Sequence, residues 1–266
     1  MIKASVGILT FNSSKYLNYC LNSVKDFNEI LILDGGSKDE TLNIAKKYNC
    51  KILKQPKEFK FKNNKIKDFS KLRNYILKLS KYNLVLFLDS DEFLTRSAIK
   101  KIDYYSKSQI SKKKYYSFLL GRFPIHKNKT VSQTIFYPNY QDRLFYKSNV
   151  KNFIKPVHER VVPKNKNYIK KKIKNKSIIF PIDTSYKNIY EKCKYYYDIE
   201  KNMVSKKNLL SSLRFVLFRL FVILKYYLSY LVYNSNKIDV DLRKFEKKLL
   251  KLHVLFSFKL LFKIFS

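Results

Sequence analysis

The 266-residue chain contains no tryptophan, two methionines and four glycines, against 22 tyrosines and 21 phenylalanines. Lys, Asn, Ile, Tyr and Phe recur throughout, the bias that an AT-rich genome produces, so composition alone marks no functional patch. Cysteine is scarce too. Cys20, Cys50 and Cys193 are far apart and in no CxxC spacing, which argues against a disulfide framework or zinc site and for reduced thiols. Acidic residues number 20 against 56 Lys and Arg, a formal charge of +36. Such a charge invites nucleic acid. Here Lys is spread along the whole chain while Asp and Glu cluster, so dedicated nucleic-acid binding is not expected. Attraction to anionic surfaces and phosphorylated ligands does follow from the charge. No internal repeat is evident. An apolar content of 45% with 16% aromatics excludes disorder, and the length suits one large domain or a domain with an appendage. Met1 to Asn12 lacks the basic start and apolar core of a signal peptide, which points to the cytoplasm.

What is present is a rhythm. Ala4 to Leu9 reads as a strand, followed by capping residues at Asn12, Ser13 and Ser14 and helical spacing from Tyr16 to Lys25. Glu29 to Leu33 is a second strand, Thr41 to Tyr48 a helix, Lys51 to Leu53 a third strand and Phe69 to Leu79 a helix. The apolar run Leu84 to Leu88 is a buried strand. Alternation of this kind implies a parallel, doubly wound sheet. Beyond Ser106, Tyr115 to Arg122, Thr134 to Tyr137 and Asp142 to Tyr146 read as strands in a mixed sheet, and Tyr186 to Met203 as a helix.

Two strands end in carboxylates. Leu84 to Leu88 runs into Asp89, Asp91 and Glu92, and Glu29 to Leu33 into Asp34. Open α/β sheets bind ligands at the carboxyl ends of their strands. Asp89 and Asp91 are two apart, so in extended geometry they project to one side and suit a divalent cation bridging to phosphates. Gly35 and Gly36 permit a tight turn and close approach of backbone to ligand. Ser37, or Asp39 with Thr41, is placed to cap the next helix.

ILTFN, YLNYCLNSV, EILILDGGSKDETLNIAKKY and LFLDSDE follow one another over about residues 3 to 105. Together they resemble the inverting family 2 glycosyltransferases of GT-A fold. The resemblance implies an α/β, Rossmann-like nucleotide-sugar-binding sheet, a uridine diphosphate sugar as donor, and Mn2+ or Mg2+. It implies that Asp34 pairs with the nucleobase and that Asp89 and Asp91 form a DxD-type pair, with Asp91 the stronger metal ligand and Glu92 belonging with them. LLGRFPIH, QDRLFYKS and PVHERVVP look like the lipopolysaccharide-core glucosyltransferase branch, which implies glucose as the hexose and a glycan or glycolipid acceptor such as lipopolysaccharide core. Family members often carry His just before the segment matching Ser185-Tyr186-Lys187. Here Ile182-Asp183 stands there, and Asp183 is at best a substitute ligand.

Inverting transfer needs a general base for the acceptor hydroxyl. Glu159 is the candidate, kept ionised and positioned by His158 and Arg160 beside it. Arg73 is assigned to the donor side, since guanidinium suits bidentate phosphate binding. Arg122 and Arg143 hold acceptor phosphate or brace the fold, and Arg160 falls in the same matching segments. Two readings from other classes stay open: a non-catalytic basic protein binding anionic lipid or nucleic acid, and a nucleotidyltransferase.

The expected division is a nucleotide-sugar-binding half over 1–105, an acceptor-binding half over 106–205 and amphipathic helices over 206–266. Leu209 to Tyr233 and Phe245 to Phe265 are strongly apolar. Arg214, Arg219 and Lys225 interrupt the first run and leave no uncharged stretch of about 18 residues, so a membrane span is not expected. An apolar helix with basic charges suits an in-plane membrane helix instead, with Tyr226, Tyr227, Tyr230 and Tyr233 at the headgroups. The alternative is a helix packed on the protein's own core. Peripheral attachment to the inner face of the cell membrane is the expectation.

Overall fold

A computed structural model describes residues 1–61, 64–108, 114–127, 129–131, 139–232 and 240–265. The strand expected over Thr134 to Tyr137 lies outside them, as does Tyr233. The chain forms two compact units, Met1–Pro124 with Pro138–Pro181, and Ile125–Tyr137 with Ile182–Ser266.

In the first unit β1 (Ile2–Thr10), α1 (Ser14–Val24), β2 (Phe27–Asp34), α2 (Thr41–Lys47), β3 (Lys51–Lys54), α3 (Phe69–Leu79) and β4 (Leu84–Asp89) alternate. These strands pair in parallel in the order β3-β2-β1-β4, the doubly wound arrangement that the alternation predicts. Period-two burial explains why β4 is a continuous apolar run. Leu84, Leu86 and Leu88 face one core with Leu17, Leu21 and Ile102, while Val85 and Phe87 face another with Leu72 and Ile76 of α3. A Cβ at Gly7 of β1 would lie 2.5 Å from Ile76 Cγ2, so glycine there lets α3 close onto the sheet.

The chain continues through β5 (Phe93–Leu94), α4 (Arg96–Lys107), β6 (Tyr115–His126), β7 (Lys129–Thr130), β8 (Asn139–Tyr146), β9 (Val150–Ile154), β10 (Arg160–Pro163) and β11 (Ile169–Pro181). The sheet extends as β4-β8-β6-β11-β5, with β8 antiparallel to both β4 and β6. β9 and β10 pair separately as an antiparallel ribbon.

The second unit is built on α5 (Tyr186–Glu200), α6 (Leu209–Val232) and α7 (Val240–Phe265). Cys193, Ile223, Phe245, Leu249 and Phe256 share one core, and Val204, Val216, Leu260 and Ile264 another. Arg219 Nε donates to Ser257 Oγ at 2.8 Å, and Arg243 Nη1 donates to the Tyr230 carbonyl at 2.9 Å, so α6 and α7 run antiparallel. By length and composition α6 is apolar enough to cross a membrane, with a mean hydropathy of 1.7 and 11% of its apolar stretch buried. Arg219 is turned inward, where its Nη1 meets Glu200 Oε2 of α5, so its charge does not break the outer face.

Candidate active site

Asp34 closes β2 and is 4% exposed. Its Oδ1 accepts from Thr10 Oγ1 at 2.8 Å and Ser37 Oγ at 2.6 Å, and its Oδ2 accepts from the N–H groups of Gly36 and Ser37 at 2.7 and 2.8 Å. Gly36 has φ +97°, a conformation that L side chains rarely adopt. Asp34 therefore shapes the turn at the strand end. Gln55, 5% exposed, donates Nε2 to the Leu33 carbonyl at 2.9 Å, while its Oε1 is buried without a hydrogen-bond partner. Gln55 carries no sequence signal, and Thr10 enters only as part of the ILTFN segment.

The expected caps are redistributed. Asp39 Oδ1 accepts from the Thr41 N–H at 3.1 Å, and its Oδ2 from the Ser14 N–H at 3.0 Å, so it ties the start of α2 to the start of α1. Burial works to raise the Asp39 pKa, but the hydrogen bonds from Thr41 and Ser14 outweigh it and hold it at about 2. Ser37 Oγ accepts from the Asn12 N–H at 2.8 Å and so joins the loops after β1 and β2.

At the end of β4 the extended backbone stops at Asp89. Ser90 and Asp91 form a turn in which the Glu92 N–H donates to the Asp89 carbonyl at 2.9 Å. The two aspartates therefore do not share one extended strand, and the same-side argument for them fails. Ser90 Oγ donates to Ser13 Oγ at 2.9 Å, which brings this turn against the loop after β1.

Around the turn lies a network of arginines and carboxylates. Arg143 holds Asp89 in a fork, Nη1 to Oδ1 at 3.1 Å and Nη2 to Oδ2 at 2.7 Å. Its Nη2 also reaches Glu92 Oε1 at 3.1 Å. Arg122 Nε donates to the same Glu92 oxygen, and its guanidinium lies over the Phe180 ring at 4.4 Å. Glu92 is fully buried, and its Oε2 accepts from the Asp89 N–H at 2.9 Å. Of the two options for Arg122 and Arg143, bracing the fold is what these contacts provide. Burial works to raise the Asp89 pKa, yet the charges of Arg143, Arg73 and Arg122 hold it well below the usual carboxylate range. Behind it the buried Cys20 thiol donates to the Asp89 carbonyl at 3.7 Å. Burial, then the charges of Glu92, Asp91 and Asp89, push its pKa up, so it stays a neutral thiol.

Arg73 joins this network to Glu159. Its Nε donates to Glu159 Oε1 at 2.8 Å, its Nη2 lies 3.8 Å from Asp89 Oδ1, and its guanidinium lies 5.1 Å from the Phe87 ring centre. Arg73, expected on the donor side, is a bridge between the two carboxylates. Beside Glu159 in the chain, His158 and Arg160 are exposed, and Arg73 is a partner of its carboxylate. Asn74 fixes the loop that carries Glu159. Its Oδ1 accepts from the Phe153 N–H at 2.7 Å and its Nδ2 donates to the Phe153 carbonyl at 2.9 Å. Asn74 belongs to no motif in the sequence; with Arg73 it stands beside the buried Leu72, Ile76 and Leu77.

Asp183 belongs to the second unit. Its Oδ1 accepts from the Ser185 N–H at 2.8 Å and its Oδ2 from Asn188 Nδ2 at 2.7 Å, so it organises the start of α5. Among the described residues no group of three His, Cys, Asp or Glu side chains could hold a metal ion. Magnesium and manganese are bound through one or two carboxylates together with substrate phosphates. With Asp89 clamped by Arg143, Asp91 is the carboxylate that would join a diphosphate around such an ion. This donor set fits a cation that arrives with a nucleotide.

The model of the family described as glycosyl transferase family 2 matches residues 5–183. The SPbeta prophage-derived glycosyltransferase SunS of Bacillus subtilis (strain 168) is 40% identical over 98 residues, which cover 36% of this chain and 22% of that protein. The poly(ribitol-phosphate) beta-N-acetylglucosaminyltransferase TarP of Staphylococcus aureus (strain N315) is 32% identical over 182 residues, 62% of this chain and 52% of that protein. The chain thus spans about half or less of the length of these curated relatives. The mannosyltransferase PcManGT from Pyrobaculum calidifontis, solved with GDP-Man and Mn2+, shares the fold at a TM-score of 0.55 and 8% identity, over 97% of this chain and 87% of that one. These relatives carry other names than lipopolysaccharide-core glucosyltransferase, so the wider resemblance holds and the narrower branch does not follow from them. The matched segment takes in Asp34, Arg73, Asp89, Asp91 and Glu159, and neither a purely basic binding protein nor a nucleotidyltransferase is the class it matches: the chain belongs to glycosyl transferase family 2.

Proposed function

We propose that the chain transfers a hexosyl group, glucose first among those expected, from a uridine diphosphate sugar to a hydroxyl of a glycan or lipid-linked acceptor, with inversion. The observation that carries this reading is the Arg73 bridge, which ties Asp89 at the end of β4 to Glu159. A carboxylate held there supports a role beside a donor bound at the strand ends. The acceptor oxygen attacks the anomeric carbon from the face opposite the diphosphate, whose bond to that carbon breaks with its electron pair. Glu159 takes the hydroxyl proton. Asp34 with its turn borders the nucleobase, and Asp91 faces the diphosphate. A divalent cation, Mn2+ or Mg2+, would neutralise charge developing on the leaving group.

Lipopolysaccharide core is one acceptor, suggested by the LLGRFPIH, QDRLFYKS and PVHERVVP segments; a phosphate-rich glycopolymer is the other, suggested by the name of TarP. Attachment to the cytoplasmic face of a membrane through residues 209–266 completes the reading and suits a lipid-linked acceptor.

Incubating the protein with labelled nucleotide sugars, manganese and an array of both acceptor types tests it. Transfer from a uridine diphosphate sugar with inverted anomeric configuration is expected. Absence of donor binding and donor hydrolysis across the common sugars overturns the reading, and transfer of the nucleotide without the sugar assigns a different reaction.

A further inference from the structure

We infer that the outer face of α6 is a docking surface for an anionic lipid bilayer, on which the helix lies in the plane of the membrane without crossing it. The inference rests on the membrane attachment proposed above and assigns its face and its geometry.

Helix α6 has two unlike sides. Ser212, Val216 and Ile223 are buried against the rest of the second unit. On the other side Leu217, Phe218, Phe221, Leu224 and Leu228 are each more than half exposed. Exposed apolar faces of this size mark interaction surfaces in proteins that are otherwise well packed. Phe221, Leu224, Lys225, Leu228, Ser229 and Val232 line a shallow groove of about 350 Å3 on this side.

The charge on the helix selects the partner. Among its residues α6 has no Asp or Glu, while Arg214 and Lys225 are exposed. Arg219, the remaining cation, is turned inward to Glu200. The outer face is thus apolar with basic residues alone, the pattern of helices that lie among anionic headgroups. A second copy of the chain fits less well, because pairing these faces would bring Arg214 and Lys225 of two strongly basic molecules together.

Length alone would allow α6 to span, but its packing opposes that. Helix α7 lies antiparallel against it through Arg219 with Ser257 and Arg243 with Tyr230. Lys244, Lys247, Lys248 and Lys251 of α7 are exposed. A crossing α6 would either draw these lysines into hydrocarbon, which is strongly unfavourable, or strip α7 away and open the buried Arg219–Glu200 pair. Lying flat, α6 keeps its inner contacts and immerses its outer residues.

The absence of tryptophan makes the test direct, since one introduced tryptophan is the sole reporter. The full chain carrying Phe218→Trp, Phe221→Trp or Leu228→Trp is mixed with phosphatidylglycerol–phosphatidylcholine vesicles whose acyl chains are brominated near the headgroup or near the bilayer centre. Tyr197→Trp, partly buried against the inner core, is the control. We expect flotation with the vesicles, a blue shift and quenching at all three outer positions, stronger with shallow than with deep bromine, and no quenching at 197. Phe218→Glu with Phe221→Glu, both at exposed positions, should keep the helical circular dichroism and lower vesicle partitioning at least about tenfold, the scale of losing one immersed large apolar side chain. Strongest quenching of position 221 by deep bromine means a span and overturns the flat geometry. Flotation without quenching at the outer positions keeps membrane attachment and overturns this face. Failure to float at low salt overturns both. A blue shift without lipid, with a doubled mass in solution, assigns the face to a second copy and overturns the lipid reading.

Discussion

Glu159 and Asp91 each stand as one carboxylate in a motif, and the proposed reaction gives them different duties. Glu159 is held by Arg73 at 2.8 Å. Glu159→Gln keeps the size of the side chain and removes proton acceptance, so turnover should fall by about two to four orders of magnitude, the scale of general-base loss. Donor affinity, read by calorimetry, should barely move. Asp91→Asn should abolish manganese-dependent transfer while the thermal midpoint stays put; near-normal turnover would remove Asp91 from the site. Glu92 is a different case. It is fully buried and receives both Arg122 and Arg143. Glu92→Gln leaves two guanidinium groups short of a buried counter-charge, so stability in urea should fall by about 3 kcal/mol or more.

Element α3 shows how a helix positions chemistry with its polar side. Leu72 and Ile76 are buried in the sheet core, Gly7 lets the helix approach β1 closely, and Arg73 and Asn74 are left to meet the Glu159 network and β9. Asn74→Ala would strand the N–H and carbonyl of Phe153, at a cost of about 2 kcal/mol or more by the usual penalty for unsatisfied buried groups. Both thermal stability and turnover should fall, because the loop bearing Glu159 starts from this strand. Unchanged turnover in a folded variant would separate Asn74 from the site. Strand β11 shows the reverse. Its sequence is rich in lysine, and Lys171 Nζ lies 5.4 Å from the Tyr105 ring centre and Lys172 Nζ 3.7 Å from the Tyr140 ring centre. The lysine ammonium groups lie over aromatic faces as cation–π contacts, and no periodicity in the sequence displays that.

For the whole molecule, a formal charge of +36 means that carboxylates matter out of proportion to their number. Asp39 has its ordinary value of 3.8 lowered to about 2 in the folded protein, and Asp89 is lowered further by its arginines. A depressed carboxylate contributes stability that is complete above its unfolded value and is lost as pH falls through the folded one. Between about pH 4 and pH 2, protonation both withdraws that contribution and raises an already large positive charge. The urea midpoint should therefore drop steeply over this window. Asp39→Asn should start lower at neutral pH and drop less, and added salt should recover part of the loss by screening. A flat profile would mean that these carboxylates are not linked to folding.

Strand ends, the doubly wound order and the family were legible because they depend on local pattern: apolar runs of strand length, period-2 and helical spacing, and acids placed where such runs stop. Those features follow from backbone geometry and side-chain transfer, which act residue by residue. Which groups meet could not be read that way. The contact of Ser90 with Ser13, the pairing of Glu159 with Arg73, and the inward turn of Arg219 to Glu200 each join residues that no local pattern connects. Buried charge must find its partner wherever the fold brings one, and that choice is made by tertiary packing and not by spacing.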